Sequence, residues 1–257
     1  MDNMNNRDNN ELNEPQMTDF GFTEVLSSDK SKLVANVFNN VSKKYDLMNN
    51  IMSLGLHHFW KKFTTLSINI NKNAKILDLA GGTADMVVLF NKLINDDGEI
   101  WHTDININML KIGREKLYNE GILATQCICD AEQLPFNNNY FDVVSIAFGL
   151  RNMTNKGKVL KEIYRALNYG GSLIVLEFSK IYPTLIPLYN FYLLKILPLM
   201  GKMIAHDEDS YKYLAESINI HPDQETVKTM FVDAGFSNVK YYNLSLGIVA
   251  LHIGYKI

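Results

Sequence analysis

The residues whose types and spacing best suit chemistry are Gly81-Gly82-Thr83 and two carboxylates further on, Asp104 and Asp130. Small residues let a backbone turn sharply and approach a ligand closely. Here they follow an apolar run around Asp78, made of Ile76, Leu77 and Leu79, and precede the helical pattern of Val87, Val88, Leu89 and Phe90. A buried strand, a tight turn and a helix N-terminus together receive a nucleotide at the end of a sheet. The stretch lacks the Gly-x-Gly-x-x-Gly of dinucleotide folds and the Gly-Lys-Ser/Thr of a phosphate loop. Asp104 lies 21 positions after Thr83, at the end of an expected second strand, where a carboxylate can accept both hydroxyl hydrogens of a ribose. Asp130-Ala131 closes a third, where Asp130 can accept from an exocyclic amine while Ala131 packs on the ring. Each acid also has a plainer reading as a turn former or helix cap.

Arg151 and Asn152 follow a fourth expected strand, within Phe148-Gly-Leu-Arg-Asn152, opposite the glycine loop. An arginine in that crevice can hold an oxyanion or position a water, although it cannot itself be a base. Alone, it reads as a surface residue paired with an acid. Tyr45, Asp46, His57 and Tyr213 are weaker candidates for closing a site, and His57 can equally pack against Trp60. No metal is expected. Cys127 and Cys129 are the chain's two cysteines, too few for a zinc site and badly spaced for a disulfide. They read as reduced core thiols of a cytosolic protein.

These residues need elements to position them. The 257 residues, 47% of them hydrophobic, suit one α/β domain with an appendage. The net charge of −3 gives no global attraction to nucleic acid, which is not expected as a partner. Residues 1–17, rich in Asn and Asp, are expected to be disordered, with no signal-peptide pattern. Residues 18–72 are expected to form a helical cover, with Val34, Val37, Phe38 and Val41 along one helical face and Ser31 as a cap.

Residues 73–257 alternate strand and helix. Strands are expected at Ile76–Leu79, Glu99–Asp104, Thr125–Cys129, Phe141–Phe148 and Ser172–Phe178, with two more after Gly235. Asn106 caps one helix, Gly170-Gly171 ends another, and His221-Pro222-Asp223 opens a third. Tyr182–Met200 is the most apolar stretch, but Pro183, Pro187, Pro198, Asn190 and Lys195 leave it too interrupted for a spanning helix. It reads as core, dimer surface or a substrate lid near 181–220. A cytoplasmic, soluble protein is expected, with peripheral contact to the inner membrane open.

The glycine loop, with Asp78 as leading acid, resembles the first motif of the class I S-adenosylmethionine-dependent methyltransferases. Longer segments are similar to the ubiquinone/menaquinone biosynthesis C-methyltransferase family. They are Asp78–Thr83, Phe148–Asn152, Leu176-Glu-Phe-Ser-Lys180, Asp209-Ser-Tyr211 with Tyr213-Leu-Ala-Glu-Ser217, and His221-Pro-Asp-Gln224. The resemblance covers roughly Phe20 to the C-terminus. It implies a Rossmann-like seven-stranded sheet with helices on both faces, and S-adenosyl-L-methionine as cofactor. It also implies C-methylation of a prenylated hydroquinone: demethylmenaquinol, a 2-polyprenyl-6-methoxy-1,4-benzoquinol, or both. Cofactor contacts carry over to Thr83, Asp104, Asp130 and Ala131, and Gly81, Gly82 and Asp78 are expected to bind the cofactor with them. Arg151 and Asn152 would hold the phenolate or a water that takes its proton. Other quinone-biosynthesis enzymes are implied as partners.

Ala84 departs from the family's Gly and Ala147 from its usual Ser. An added methyl at a position needing φ > 0 costs about 1 kcal/mol, and a lost hydroxyl contact about 0.5–1.5 kcal/mol. Two other readings stand beside this one: a non-catalytic organising subunit of a quinone-biosynthesis complex, and a nucleotide-dependent oxidoreductase.

Overall fold

Alternating apolar residues build the centre of the molecule, a seven-stranded sheet, in a computed structural model that describes residues 16–205 and 207–257. The strands are β3 (Lys75–Leu79), β4 (Glu99–Asp104), β5 (Thr125–Ile128), β6 (Phe141–Ala147), β7 (Leu167–Phe178), β8 (Ser237–Leu244) and β9 (Val249–Tyr255). A separate hairpin, β1 (Met17–Phe20) with β2 (Thr23–Leu26), precedes them. The spatial order is β5-β4-β3-β6-β7-β9-β8. β3 to β7 pair in parallel, and β9 runs antiparallel to both β7 and β8. The chain therefore winds outward from β3 to β5 and returns beside β3 as β6. That reversal opens a crevice beyond the carboxyl ends of β3 and β6, where ligands of such sheets bind.

Both faces are covered, as near-continuous apolar strands require. Leu77, Leu79, Val144, Ile146, Leu173 and Val175 pack against α6 (Lys156–Ala166) and α10 (Gln224–Asp233), through Val159, Leu160, Ile163, Val227 and Phe231. On the opposite face, Ile76, Val143, Ile174 and Leu176 meet Trp60 of α3 (Leu56–Leu66) and Met86, Val87 and Phe90 of α4 (Asp85–Asn91). Each fully buried side chain of this size stabilises by about 1.5–3 kcal/mol. A third cluster joins Val41 of α1 (Ser27–Val41) to Leu193, Leu197 and the buried face of α9 (Glu208–Ile220).

The cover differs from the expectation in two ways. Residues 1–15 lie outside the described residues, but Met17 already belongs to β1, so the cover opens with a hairpin. Helix α1 begins at Ser27, which leaves Ser31 inside it rather than capping it. Helix α2 (Tyr45–Ser53) follows, and the side chains of Lys43, Tyr45, Met48, Ile51, Ile204 and Ala205 are not among those described. Asn106 does cap α5 (Ile107–Asn119), accepting from the Asn108 and Met109 amides. Gly170-Gly171 does not end α6, which stops at Ala166. The chain turns directly into β7, whose Leu167 pairs with Phe141.

The prolines of the apolar stretch do not break it. Pro183 and Pro187 fall in the first turns of the helical run that includes α7 (Ile186–Phe191), where a missing N–H costs little, and Pro198 in α8 (Leu197–Met200) lies between two π-helical stretches, Tyr192–Ile196 and Gly201–Ala205. Pro183–Met203 is thus a 21-residue helix, long and apolar enough to cross a membrane by length and composition alone, with 22% of its most apolar window buried. Leu193 and Leu197 pack it onto the domain, and the Tyr192 hydroxyl donates to the Met52 carbonyl at 3.0 Å.

Candidate active site

The glycine loop leaves β3 with three residues in the left-handed region: Ala80 at φ 54°, Gly82 at φ 54° and Ala84 at φ 67°. Ala84 thus occupies a conformation that favours glycine. Gly81 is needed for a different reason. A Cβ there would lie 2.5 Å from Asp78 Oδ2 and 2.6 Å from the His102 ring. Asp78 is fully buried beneath the loop rather than on a cavity wall. Ser145 donates to its Oδ1 at 2.7 Å, its Oδ2 has no partner among the described residues, and burial pushes its pKa up to about 7. His102 supports the loop from the next strand. Its Nε2–H donates to the Gly82 carbonyl at 3.1 Å, and its Nδ1 accepts from Gln126 at 2.8 Å. Burial lowers its pKa to about 4, which keeps that neutral tautomer.

Asp104 closes β4 facing a cavity of about 120 Å³. Its Oδ2 accepts from Gly82 N at 3.0 Å and its Oδ1 from Asn106 N at 2.8 Å. A carboxylate offers about four acceptor positions, so these amides leave capacity for a ligand's hydroxyl. Burial raises its pKa to about 6. Asp130, Ala131, Gly82 and Ala147 line the same cavity, with Phe38 and Val34 of α1 above. Gly81 and Thr83 are not on its wall. The Thr83 hydroxyl donates instead to Asp46 Oδ1 of α2 at 2.9 Å. The residues fit an adenosyl cofactor: a ribose acceptor, an amine acceptor and a small side chain line one crevice.

A second cavity, of about 270 Å³ and mostly apolar, lies under the cover. Its walls come from α1 to α3, from Tyr189, Tyr192 and Leu197 of the apolar helix, and from Tyr211, Tyr213 and Leu214 of α9. The two cavities share Phe38, Phe148 and Asn152. Asn152 Oδ1 accepts from the Tyr213 hydroxyl at 3.1 Å, and the Tyr213 ring stacks on Phe20 of β1 at 4.3 Å.

Arg151 lines the apolar cavity only, and it is not a surface residue. Its Nη1 donates to Glu177 Oε1 at 2.9 Å, its amide donates to Glu177 Oε2 at 3.1 Å, and its buried Nε has no partner among the described residues. Glu177 stands in the Leu176–Lys180 segment but was not singled out by sequence reasoning, because nothing local ties it to a residue 26 positions away. The same holds for the cluster around Asp85. Burial opposes the charge of Asp85, but the Lys61 and Lys116 ammonium groups overcome it and hold the carboxyl below the usual range. Lys61 is 2.6 Å from Asp85 Oδ2, and Lys116 contacts both Oδ1 and Asp46, which ties α2, α4 and α5 together under the loop.

His57 packs among these residues, with Ser53 Oγ 2.8 Å from its Nδ1. Burial, and then the Lys61 charge, lower its pKa to about 4. Ligand-capable atoms of His57, His58 and Asp85 lie within 4.8 Å of one another, but the ions holding Asp85 are those two ammonium groups. Cys129, buried, lines the cofactor cavity, and both thiols are free.

Comparison with known proteins agrees with this geometry. Among solved structures, a SAM-dependent methyltransferase from Aquifex aeolicus matches with TM-score 0.57 at 14% identity, over 79% of this chain and 92% of its own. The [4+2]-cyclase SpnF matches at TM-score 0.60 and 14% identity, over 77% and 80%, so this likeness speaks for the fold alone. Sequence relatives are far closer. The ubiquinone/menaquinone biosynthesis C-methyltransferase UbiE of Neisseria meningitidis serogroup C is 56% identical over 94% of this chain and 98% of its own length. That of Laribacter hongkongensis is 54% identical over 93% and 98%. The model of the ubiE/COQ5 methyltransferase family matches residues 25–256. With a match of that extent and relatives of that identity, the chain belongs to the ubiE/COQ5 methyltransferase family.

Proposed function

We propose that this protein methylates a ring carbon of a prenylated hydroquinone, using S-adenosylmethionine, in menaquinone or ubiquinone biosynthesis. The observation that carries this reading is the junction of the two cavities. A crevice with ribose and amine acceptors meets an apolar chamber at Phe38, Phe148 and Asn152. The relatives' names supply the substrate class. The oxidoreductase and organising-subunit alternatives find no support in the family match.

The cofactor supplies an electrophilic methyl group on a sulfonium. A quinone ring is too electron-poor to attack it, so the acceptor is the reduced quinol. Loss of a hydroxyl proton makes the ortho carbon nucleophilic. That carbon's electron pair would form the new C–C bond with the methyl group, the sulfonium would leave as a neutral thioether, and the ring C–H proton would then be lost. The protein's task is alignment, phenolate stabilisation and exclusion of water. Arg151 presents N–H donors at the chamber wall, with Glu177 offsetting most of its charge, so its contribution is direction rather than net field. Asn152 is fixed at the junction by Tyr213, so its amide is already oriented.

The prenyl tail calls for a lipid partner. In this reading the apolar helix rests on the cytoplasmic face of the inner membrane and passes the tail to the chamber it lines.

Calorimetric titration with S-adenosylmethionine, repeated on Asp104→Ala, tests the cofactor site. An assay of demethylated quinols under reducing conditions then tests the reaction. Micromolar binding that is lost in the variant, and methylated quinol from the wild type, are expected. No binding at millimolar cofactor to folded protein would overturn the reading.

A further inference from the structure

Phe148 holds a backbone conformation that bulky residues rarely adopt, with φ at 60°. Along β6, Val144 and Ile146 face the core formed with α6 and α10, and Val143 faces the opposite core. Continued extension would send residue 148 after Ile146, into the α6 side. The left-handed turn sends it the other way. Its ring lies 4.9 Å from Phe178 and 6.2 Å from Trp60, on the α3 and α4 side, and forms part of the wall of both cavities.

The surroundings leave this backbone no room to relax. The Phe148 amide donates to the Leu176 carbonyl at 2.7 Å, and its carbonyl accepts from Arg151 Nη1. The next residue, Gly149, is packed so closely that a Cβ would sit 2.9 Å from Ala80 Cβ. Trp60, behind the ring, is itself fixed by its Nε1–H to Ser245 Oγ at 2.9 Å. A turn alone would be served better by glycine. Strain kept by a residue that carries a large side chain points to a use for that side chain.

We propose that Phe148 is the partition between cofactor and acceptor, and that it sets how far the transferable group reaches into the acceptor chamber. This rests on the cofactor assigned above, not on the identity of the quinol. Phe148→Gly accepts the observed backbone and opens the partition. The probe is a pair of equilibrium affinities, measured by calorimetry on the full chain without acceptor. One ligand is S-adenosylmethionine, and the other is its analogue with benzyl in place of the transferable methyl. Relative to wild type, the variant is expected to shift the affinity ratio toward the analogue by about tenfold or more, the scale on which pockets discriminate added carbon bulk.

Phe148→Leu, which shortens the ring but keeps an apolar contact with Phe178, is expected to shift the ratio in the same direction. It gives the same readout if the glycine variant does not fold. A ratio unchanged from wild type in the variant that folds would overturn the partition and leave the cofactor assignment standing. Failure of the wild type to bind S-adenosylmethionine would overturn both.

Discussion

In the proposed function, Asp104 should carry the pH dependence of cofactor binding. Burial raises its pKa to about 6, against the pull of the Asn106 and Gly82 amides. The charged form accepts a ribose hydroxyl, whereas the protonated form turns one acceptor into a donor facing another donor. Because the shift is upward, the free site loses its anion as pH falls through about 6. Affinity for S-adenosylmethionine should therefore be flat above about pH 7 and decline up to tenfold per unit below about pH 6. Asp104→Asn should bind about 10–100-fold more weakly, the loss of hydrogen bonds to a charged group, and without that pH slope. Titrations across this range decide it, and a variant that keeps the wild-type slope would assign the slope elsewhere. The place of Asp104 at the end of β4 was legible in the sequence because a strand end and its spacing from the loop are local signals. The Thr83–Asp46 and Arg151–Glu177 pairs were not, since each joins residues brought together only by tertiary packing.

At the scale of elements, the glycine loop shows how two adjacent glycines serve different ends. Gly81 is required by space, because its Cβ would strike Asp78 and His102. Gly82 is required by conformation. Its φ is 54°, but an added Cβ meets only Met109 Cε at 3.4 Å, an ordinary contact. Gly82→Ala should then cost about 1 kcal/mol in urea denaturation, as backbone strain does. Gly81→Ala should cost about 2 kcal/mol or more, because buried neighbours must move. Equal costs would show that the loop relaxes as a unit. The sequence signalled this turn and the strands of the sheet through apolar periodicity. It did not signal the β1–β2 hairpin, whose short strands show little burial. Nor did it separate a helix-breaking proline from one in a helix's first turn, such as Pro187, which depends on where the helix starts.

At the scale of the whole molecule, the apolar chamber and the exposed apolar residues belong to one arrangement. The helix Pro183–Met203 contributes Tyr189, Tyr192 and Leu197 to the chamber, yet leaves Leu188 70% and Met203 71% exposed. Across the mouth, Leu54 in the turn between α2 and α3 lines the chamber and is 88% exposed, and Phe59 of α3 is also exposed. From Ile181 to Met203 there is no acidic residue, and Lys195 and Lys202 are the charged ones. In the proposed reading, such a surface would rest at the interface of an anionic bilayer. Leu188 and Phe191 point away from the chamber wall, so they can be changed without touching the site. Replacing both with Asp removes about 1.5–3 kcal/mol of apolar transfer per side chain and adds charge that anionic lipid repels. The double variant should lose sedimentation with phosphatidylglycerol-containing vesicles by about tenfold or more. It should keep wild-type turnover on a quinol with a short, water-soluble tail, and lose turnover on a long-tailed quinol held in the same vesicles. Vesicle binding equal to wild type would place the lipid contact on another face, because no other change was made. Loss of turnover on the soluble quinol would show instead that the helix shapes the chamber from outside its wall.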